Sequence, residues 1–328
     1  LMAATGHDPL EGYGALITGA FGSPRGIGNT LAKSATLCLT GLATAVAAQA
    51  GIFNVGGEGR LYLGAIASAY VGSRLAGVPA WIGVPLCLLA AMLAGGLYAW
   101  IPAVLKVKLK VNEVITTIMM NSAAIYFCSY LANGPLKTTD KGISAGTDAV
   151  DPSFMFGRLI KLSNLTESIF YAAVIALLVW YVMTKTTAGF EMKLTGQNER
   201  FARFSGIKAG KLAVWSMVAS GAICGLVGMF EIFGLHKRFV ESVSNEFYFD
   251  GIMRYKPLGI ILMSLFFGAL KVGGTAMESK VGISSELIII VQSIIIFFMA
   301  AEQGITASIA ARRARRKAAL TLTKGAND

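Results

Sequence analysis

A chain of 328 residues that is 55% hydrophobic and only 14% charged, with a mean hydropathy of +0.62, is too apolar for a water-soluble domain, whose charged share runs near a quarter. The formal net charge of +11 would suit a polyanion binder, but such a protein spreads Lys and Arg over a folded polar surface, and here they cluster between apolar runs. Two histidines, His7 and His236, and four isolated cysteines, Cys38, Cys87, Cys128 and Cys224, leave almost no material for a metal centre or a His-dependent catalytic triad. The chain is therefore read as all-α and polytopic in a membrane, with no catalytic and no metal-binding residues.

In chain order, Asp8-Pro9-Leu10-Glu11 has the spacing of a capped helix start, with Pro in the first turn. Apolar residues then recur at Leu10, Tyr13, Ile17 and Phe21, which predicts a short amphipathic helix on the membrane surface rather than a span. Eight stretches follow at about 30–50, 60–77, 80–105, 111–132, 165–184, 212–235, 257–275 and 284–304. Each is long and apolar enough to cross a ~30 Å hydrocarbon core as a helix. Gly221, Ala222 and Gly225 give one of them the small-residue spacing that lets helices pack closely in lipid.

Lys and Arg in the short loops set the orientation. Lys106, Lys108 and Lys110, then Lys185, Lys193, Arg200, Arg203, Lys208 and Lys211, then Arg312, Arg313, Arg315, Arg316 and Lys317 assign three regions to the cytoplasm. The mixed-charge segment from Asn133 to Asn164 falls outside, and so do residues 1–29. That arrangement requires a span before Leu1, giving about ten in the intact protein. The division is 1–29 outside with its short helix, 30–304 in the membrane, and 305–328 as a basic cytoplasmic tail suited to anionic lipid. Parity fails near residue 250. The span at 212–235 ends outside and 257–275 must begin inside, yet residues 236–256 are mostly polar and cannot recross lipid unless protein lines the way.

Four motifs carry a family resemblance. Gly51-Ile52-Phe53-Asn54-Val55-Gly56-Gly57-Glu58-Gly59-Arg60, Asn112-Glu113-Val114-Ile115-Thr116-Thr117-Ile118-Met119-Met120-Asn121, the stretch from Gly196 to Ile207, and the stretch from Ser220 to Gly228 resemble, in order and spacing, signatures of the permease subunits of nucleoside and simple-sugar ATP-binding-cassette importers. The likeness is greatest to the larger permease of nucleoside systems served by a lipoprotein-type binding protein. It implies that region 30–304 is a permease domain and that the protein sits in a bacterial inner membrane. It also implies partners: an ATPase subunit that holds ATP and Mg, a second homologous permease subunit, and an extracytoplasmic substrate-binding lipoprotein. The chain has no G-x-x-x-x-G-K-[ST] loop of its own, since Gly210-Lys211 is followed by Leu212 and position 205 is Ser. Against the family pattern, the run from Phe249 to Ile260 lacks an apolar half-segment, which predicts that residues are absent between about Gly251 and Pro257. The expected cargo is a nucleoside, purine ones in particular. Simple-sugar or riboflavin-type import is the alternative within the class, and a stand-alone channel or secondary transporter the alternative outside it.

Site candidates follow from chemistry. Four glycines between Gly51 and Gly59 break the helix, and broken backbone at membrane depth requires a protein-lined or wet setting. Phe53 could stack a base or sugar face, Asn54 could hydrogen-bond it, and Glu58 follows, although a structural turn at the interface reads equally from these residues. Glu113 and Asn121, eight residues apart, lie within about 80° of each other on one helix. With Glu231, they are intramembrane polar groups and so path candidates, unless Glu113 and Glu231 simply mark the water interface. The resemblance makes Gly196 to Ile207 the cytoplasmic element that couples to the ATPase. Within it Asn198 and Arg203 are polar, Phe201, Ala202 and Ile207 are spaced as an apolar helix face, and Gly206 suits a left-handed helix end.

Overall fold

The structure is a computed structural model that describes residues 8–138, 146–241, 243, 257–284 and 286–295. These residues form α1 (Pro9–Phe21), α2 (Pro24–Gln49), α3 (Gly57–Arg74), α4 (Ala80–Leu109), α5 (Glu113–Asn133), α6 (Ser168–Lys185), α7 (Thr187–Gln197), α8 (Glu199–Phe204), α9 (Ala209–Glu231, continued by a π-turn over Ile232–His236), α10 (Pro257–Val281) and α11 (Glu286–Ile295). Strand pairing among the described residues is limited to one isolated bridge, Arg158 with Thr166. The chain is an all-α bundle.

Helix starts follow their sequence signals. The Asp8 carboxylate accepts from the amide of Leu10 at 2.8 Å ahead of Pro9, and Ser23 accepts from Gly26 at 3.0 Å ahead of Pro24. Six helices are long and apolar enough to span a membrane: α2, α4, α5, α6, α9 with its π-turn, and α10 from Gly259. The stretch expected at 60–77 is α3, whose Glu58, Arg60 and Arg74 make it less apolar than those six. The stretch expected at 284–304 is described only as Glu286–Ile295.

Close backbone approach holds the centre. A Cβ on Gly225 of α9 would strike the carbonyl oxygen of Ala91 on α4, and one on Gly228 would strike that of Leu61 on α3. With so little between them, α3, α4 and α9 form the core of the bundle. Leu89, Leu93 and Leu97 on α4, Met119 and Tyr126 on α5, and Val174 and Leu177 on α6 point outward and are exposed, as lipid-facing side chains must be. α10 runs antiparallel to α2: Gly268 lies against Ser34, and Ser264 is hydrogen-bonded to Cys38. The small side of α1 seats on α10, Gly19 against Ala276, while Leu10, Tyr13, Ile17 and Phe21 are all exposed.

The ends of α2 and α4 and the starts of α5 and α9 gather with α7 and α8 at the end that loop charge assigns to the cytoplasm, called the inner end below. At the opposite end the parity conflict takes a physical form. After the π-turn the backbone does not continue outward: the carbonyl of Lys237 accepts from Val150 at 2.9 Å, that of Phe239 accepts from Thr147 at 3.2 Å, and that of Glu241 accepts from the Tyr62 hydroxyl at 2.7 Å. The chain therefore turns back along α3, with Phe239 and Val243 buried against protein. The expected gap between Gly251 and Pro257 and the basic tail lie outside the described residues.

Candidate functional site

Between α2 and α3 the backbone leaves the helix through Gly51, at φ +81°, a conformation costly for any side chain but glycine. Asn54, buried, donates to the Ser220 hydroxyl of α9 at 3.1 Å and accepts from the Gly56 amide at 3.2 Å. On α5, the Asn121 side-chain oxygen accepts from the Gly59 amide, and its nitrogen lies 3.5 Å from the Glu58 carboxylate. Asn54, Glu58 and Asn121 thus converge on the first turn of α3, where amides lack helical acceptors, and tie α3 to α5 and α9. Two residues beyond Glu58, Arg60 is 1% exposed and within electrostatic reach of Tyr98 and Cys224. Sequence reasoning passed over Arg60, although a second charge two residues after Glu58, at the head of the 60–77 stretch, was the available signal.

The other path candidates lie elsewhere. Glu113 is at the inner end, ion-paired with Lys106 and accepting from the backbone amide of Phe53, whose ring is about half exposed. Glu231 is eleven residues beyond Ser220 on α9, about 16 Å along the axis. There it accepts from the Thr36 hydroxyl at 2.9 Å and lies beside Lys33 and His236. The six residues therefore occupy three levels: an inner mouth, a polar node at the start of α3, and an outer cluster. Lys33, a lone charge within the 30–50 stretch, was the missed signal for that cluster.

The inner end is built around the α7–α8 segment. Gly196 approaches α2 so closely that a Cβ would strike the Gln49 carbonyl oxygen, while the Gln49 side chain donates to Gly189 at 3.0 Å. The segment is thereby fixed to the same break that leads into α3. Asn198 caps α8 by accepting from Phe201 at 3.0 Å, Glu199 and Arg203 pair at 2.6 Å, and the chain leaves through Gly206 at φ +81° with Ile207 donating to the Ala202 carbonyl at 3.0 Å. Phe201, Ala202 and Ile207 do not make one face. Ala202 is fully buried, Ile207 is half-buried, and Phe201 is exposed, because consecutive helical residues point about 100° apart. The residue that shares the outward side is Phe204, 91% exposed. It lies three positions from Phe201, the neighbour spacing of a helix, and was overlooked.

On the outer side two carboxylates have defined settings. The Ser129 hydroxyl and then the Asn133 amide donate to Glu241 and hold its carboxyl below the usual carboxylate range. Asp151, capping the turn at Pro152–Phe154, is likewise held low by the Ser153 hydroxyl and amide.

A bundle of apolar spans around a polar, glycine-broken centre is the build of a multi-pass membrane transport component. The chain belongs to the family described as branched-chain amino acid transport system / permease component, whose model matches residues 26–300. It is a multi-pass inner-membrane protein. It is 35% identical to the guanosine ABC transporter permease protein NupP of Bacillus subtilis, over 93% of this chain and 89% of that protein. It is 32% identical to the nucleoside ABC transporter permease protein NupB of Lactococcus lactis, over 99% and 93% respectively. A glucose ABC transporter permease protein of Haloferax volcanii is 33% identical over 91% of this chain and 82% of its own length. No solved structure matches.

Proposed function

We propose that this chain is the membrane-spanning subunit of an ATP-driven importer of nucleosides, purine nucleosides in particular. It works with a separate ATPase subunit that binds ATP and Mg, a second homologous permease subunit, and an extracytoplasmic substrate-binding lipoprotein. The observation that carries the coupling half of this reading is α8: a capped, glycine-terminated helix at the inner end that buries Ala202 inward and turns Phe201 and Phe204 to solvent. Exposed aromatics on a rigid protrusion suit a protein partner rather than water. Because Gly196 seats α7 on the end of α2, motion imposed on α8 reaches the break at Gly51 and the Asn54, Glu58 and Asn121 node, a contiguous two-ended connection of the kind coupling requires. In this reading Gly196, Asn198, Phe201, Ala202, Arg203, Gly206 and Ile207 form or support the coupling element. Phe53 and Glu113 lie at the inner mouth of the path and Glu231 at its outer level.

The substrate half rests on the guanosine and nucleoside permeases among the relatives. The glucose permease favours simple sugar as the second reading. Proteoliposomes carrying the complete transporter, with its own binding protein and ATP inside or out, separate the two: ATP-dependent uptake of labelled guanosine but not glucose is expected. Glucose uptake without guanosine uptake reverses the assignment, and uptake without ATP returns the chain to the channel or secondary-transporter class.

A further inference from the structure

We propose that the crevice between α4 and α6 is a binding site for an acyl chain of a phospholipid in the outer half of the membrane. It measures about 420 Å³, within the span of small-molecule sites, ~300–1,000 Å³. Leu88 and Met92 of α4, Phe170, Val174 and Ile175 of α6, and Leu226 of α9 line it together with the Tyr171 ring, and no polar atom contributes to its wall. Leu226 is 5% exposed and forms the floor, whereas Met92, Phe170 and Val174 are exposed and form the lips. α4 and α6 both run toward the inner end, from Ala80 and Ser168. At ~1.5 Å per residue the crevice therefore lies within ~18 Å of their outer ends.

Water, a helix and an acyl chain are what a membrane can offer as its filling. Water finds no hydrogen-bond partner on an apolar wall, and cavities of that kind stay dry. A helix is ~10–12 Å across, and one turn ~5.4 Å high already takes up about 400 Å³, so the crevice would seat a single turn rather than a span. Helices in this bundle also approach one another through glycine: Gly225 meets Ala91, Gly228 meets Leu61, Gly268 meets Ser34 and Gly19 meets Ala276, the kind of contact that packing in lipid favours. α6 contains no glycine, and the lips of the crevice are large side chains. A hydrocarbon chain needs neither a small-residue stripe nor a hydrogen bond. The crevice is continuous with the lipid-facing surface, since Leu89 and Leu93 of α4 and Leu177 and Leu178 of α6 are all exposed beside it. A chain lying in it touches Leu226, the neighbour of the Gly225 that packs on Ala91, and so braces α6 against the central contact of α4 with α9. With no charged group in the wall, selection acts on the chain and not on the headgroup.

The complete transporter in nanodiscs is irradiated with phosphatidylcholine that carries a diazirine halfway along one acyl chain, and adducts are mapped by peptide mass spectrometry. Bulk lipid reaches exposed residues such as Leu97 but not the floor residue Leu226, so an adduct on Leu226 is the expected mark of the site. Val174→Trp, which fills the crevice, should lower that adduct about tenfold or more and leave the Leu97 adduct unchanged, with Val174→Phe in its place if the tryptophan variant does not fold. Phosphatidylglycerol with the same modified chain should label Leu226 equally. The proposal is overturned if wild type gives no Leu226 adduct, if the adduct survives filling of the crevice in a folded protein, or if only one headgroup supports it. Cross-linking of Val174→Cys to the second permease subunit would overturn it as well, by showing that protein covers the crevice.

Discussion

α3 and α6 are each 18 residues long, yet their chemistry and their surroundings are reversed. α3 carries Glu58, Arg60 and Ser68 and is covered nearly all round by α4, α5 and α9. α6 keeps polar residues to its ends and shows Phe170, Val174, Leu177, Leu178 and Tyr181 to the outside. In water the apolar helix would be the buried one. In lipid the apolar side chains have no reason to leave the solvent, whereas a buried polar group needs partners that only protein or trapped water can supply. Hydropathy in this chain therefore reports contact with lipid, and close packing, rather than burial of oily side chains, holds the centre.

The largest expected effect tests that packing directly. Gly225→Leu should prevent a folded bundle from forming, because even a Cβ at this position meets the Ala91 carbonyl, and overpacking typically costs about 1–3 kcal/mol and more where backbone cannot move. Leu177→Ala on the outward face of α6 should change stability by no more than about 0.5 kcal/mol. Thermal unfolding of the two variants in the same detergent measures the contrast. Similar losses in both would show that α6 is packed against something and would remove the distinction between the two helices.

Next in size is the polar node. Asn54→Leu removes the bonds to Ser220 and Gly56 and should lower stability by about 1–3 kcal/mol, leaving a folded protein with impaired uptake. Paired unfolding and transport assays check both halves. Normal transport in a folded Asn54→Leu protein would leave the node purely structural.

Much of this arrangement could be read along the chain, for identifiable reasons. Long apolar runs, Asp8-Pro9 and Ser23-Pro24 report local geometry, and the helices follow them. Parity fails over residues 236–256, most of which lie outside the described residues; of these, Lys237 to Glu241 lie back against 147–150 and α3. Other features depend on partners remote in sequence. Lys33 and Glu231 meet only because α2 packs on α9. The outward side of α8 was misjudged because three apolar letters at 201, 202 and 207 do not specify which way a six-residue helix lies on its neighbours. Burial of Ala202 makes Phe204 the outward partner of Phe201.

α8 supplies a third, smaller effect: its exposed aromatics, Phe201 and Phe204, lie on a segment that loop charge assigns to the cytoplasm rather than to lipid. Phe204→Ser should leave unfolding unchanged and weaken association with the ATPase about tenfold or more, the behaviour of an aromatic anchor. Ala202→Asp puts a carboxylate into a fully buried position and should instead loosen α8, detectable as faster amide exchange over 199–207. Both should lose ATP-driven uptake. Intact ATPase binding in Phe204→Ser would move the coupling contact to another inner loop, with 105–112 the next candidate.

The smallest effect asks whether Lys237 to Val243 belongs with protein-lined α3 or with lipid-facing α6. Glu241 is exposed, and an ionised carboxylate does not face hydrocarbon, so water must reach it along this side of α5. Its carboxyl is held below the usual range, first by the Ser129 hydroxyl and then by the Asn133 amide. A carboxyl lowered on folding adds stability that is fully present above its unfolded value, near pH ~4.3, and is lost as pH falls through the folded value. Wild type should therefore exceed Glu241→Gln in melting temperature by a small margin at pH ~6, and the margin should shrink steadily as the pH is lowered below ~4.3. Because the group is solvent-screened, the difference should also narrow in high salt. A margin that is constant with pH would mean that Glu241 does not titrate in this window and that the returning segment is sealed from water.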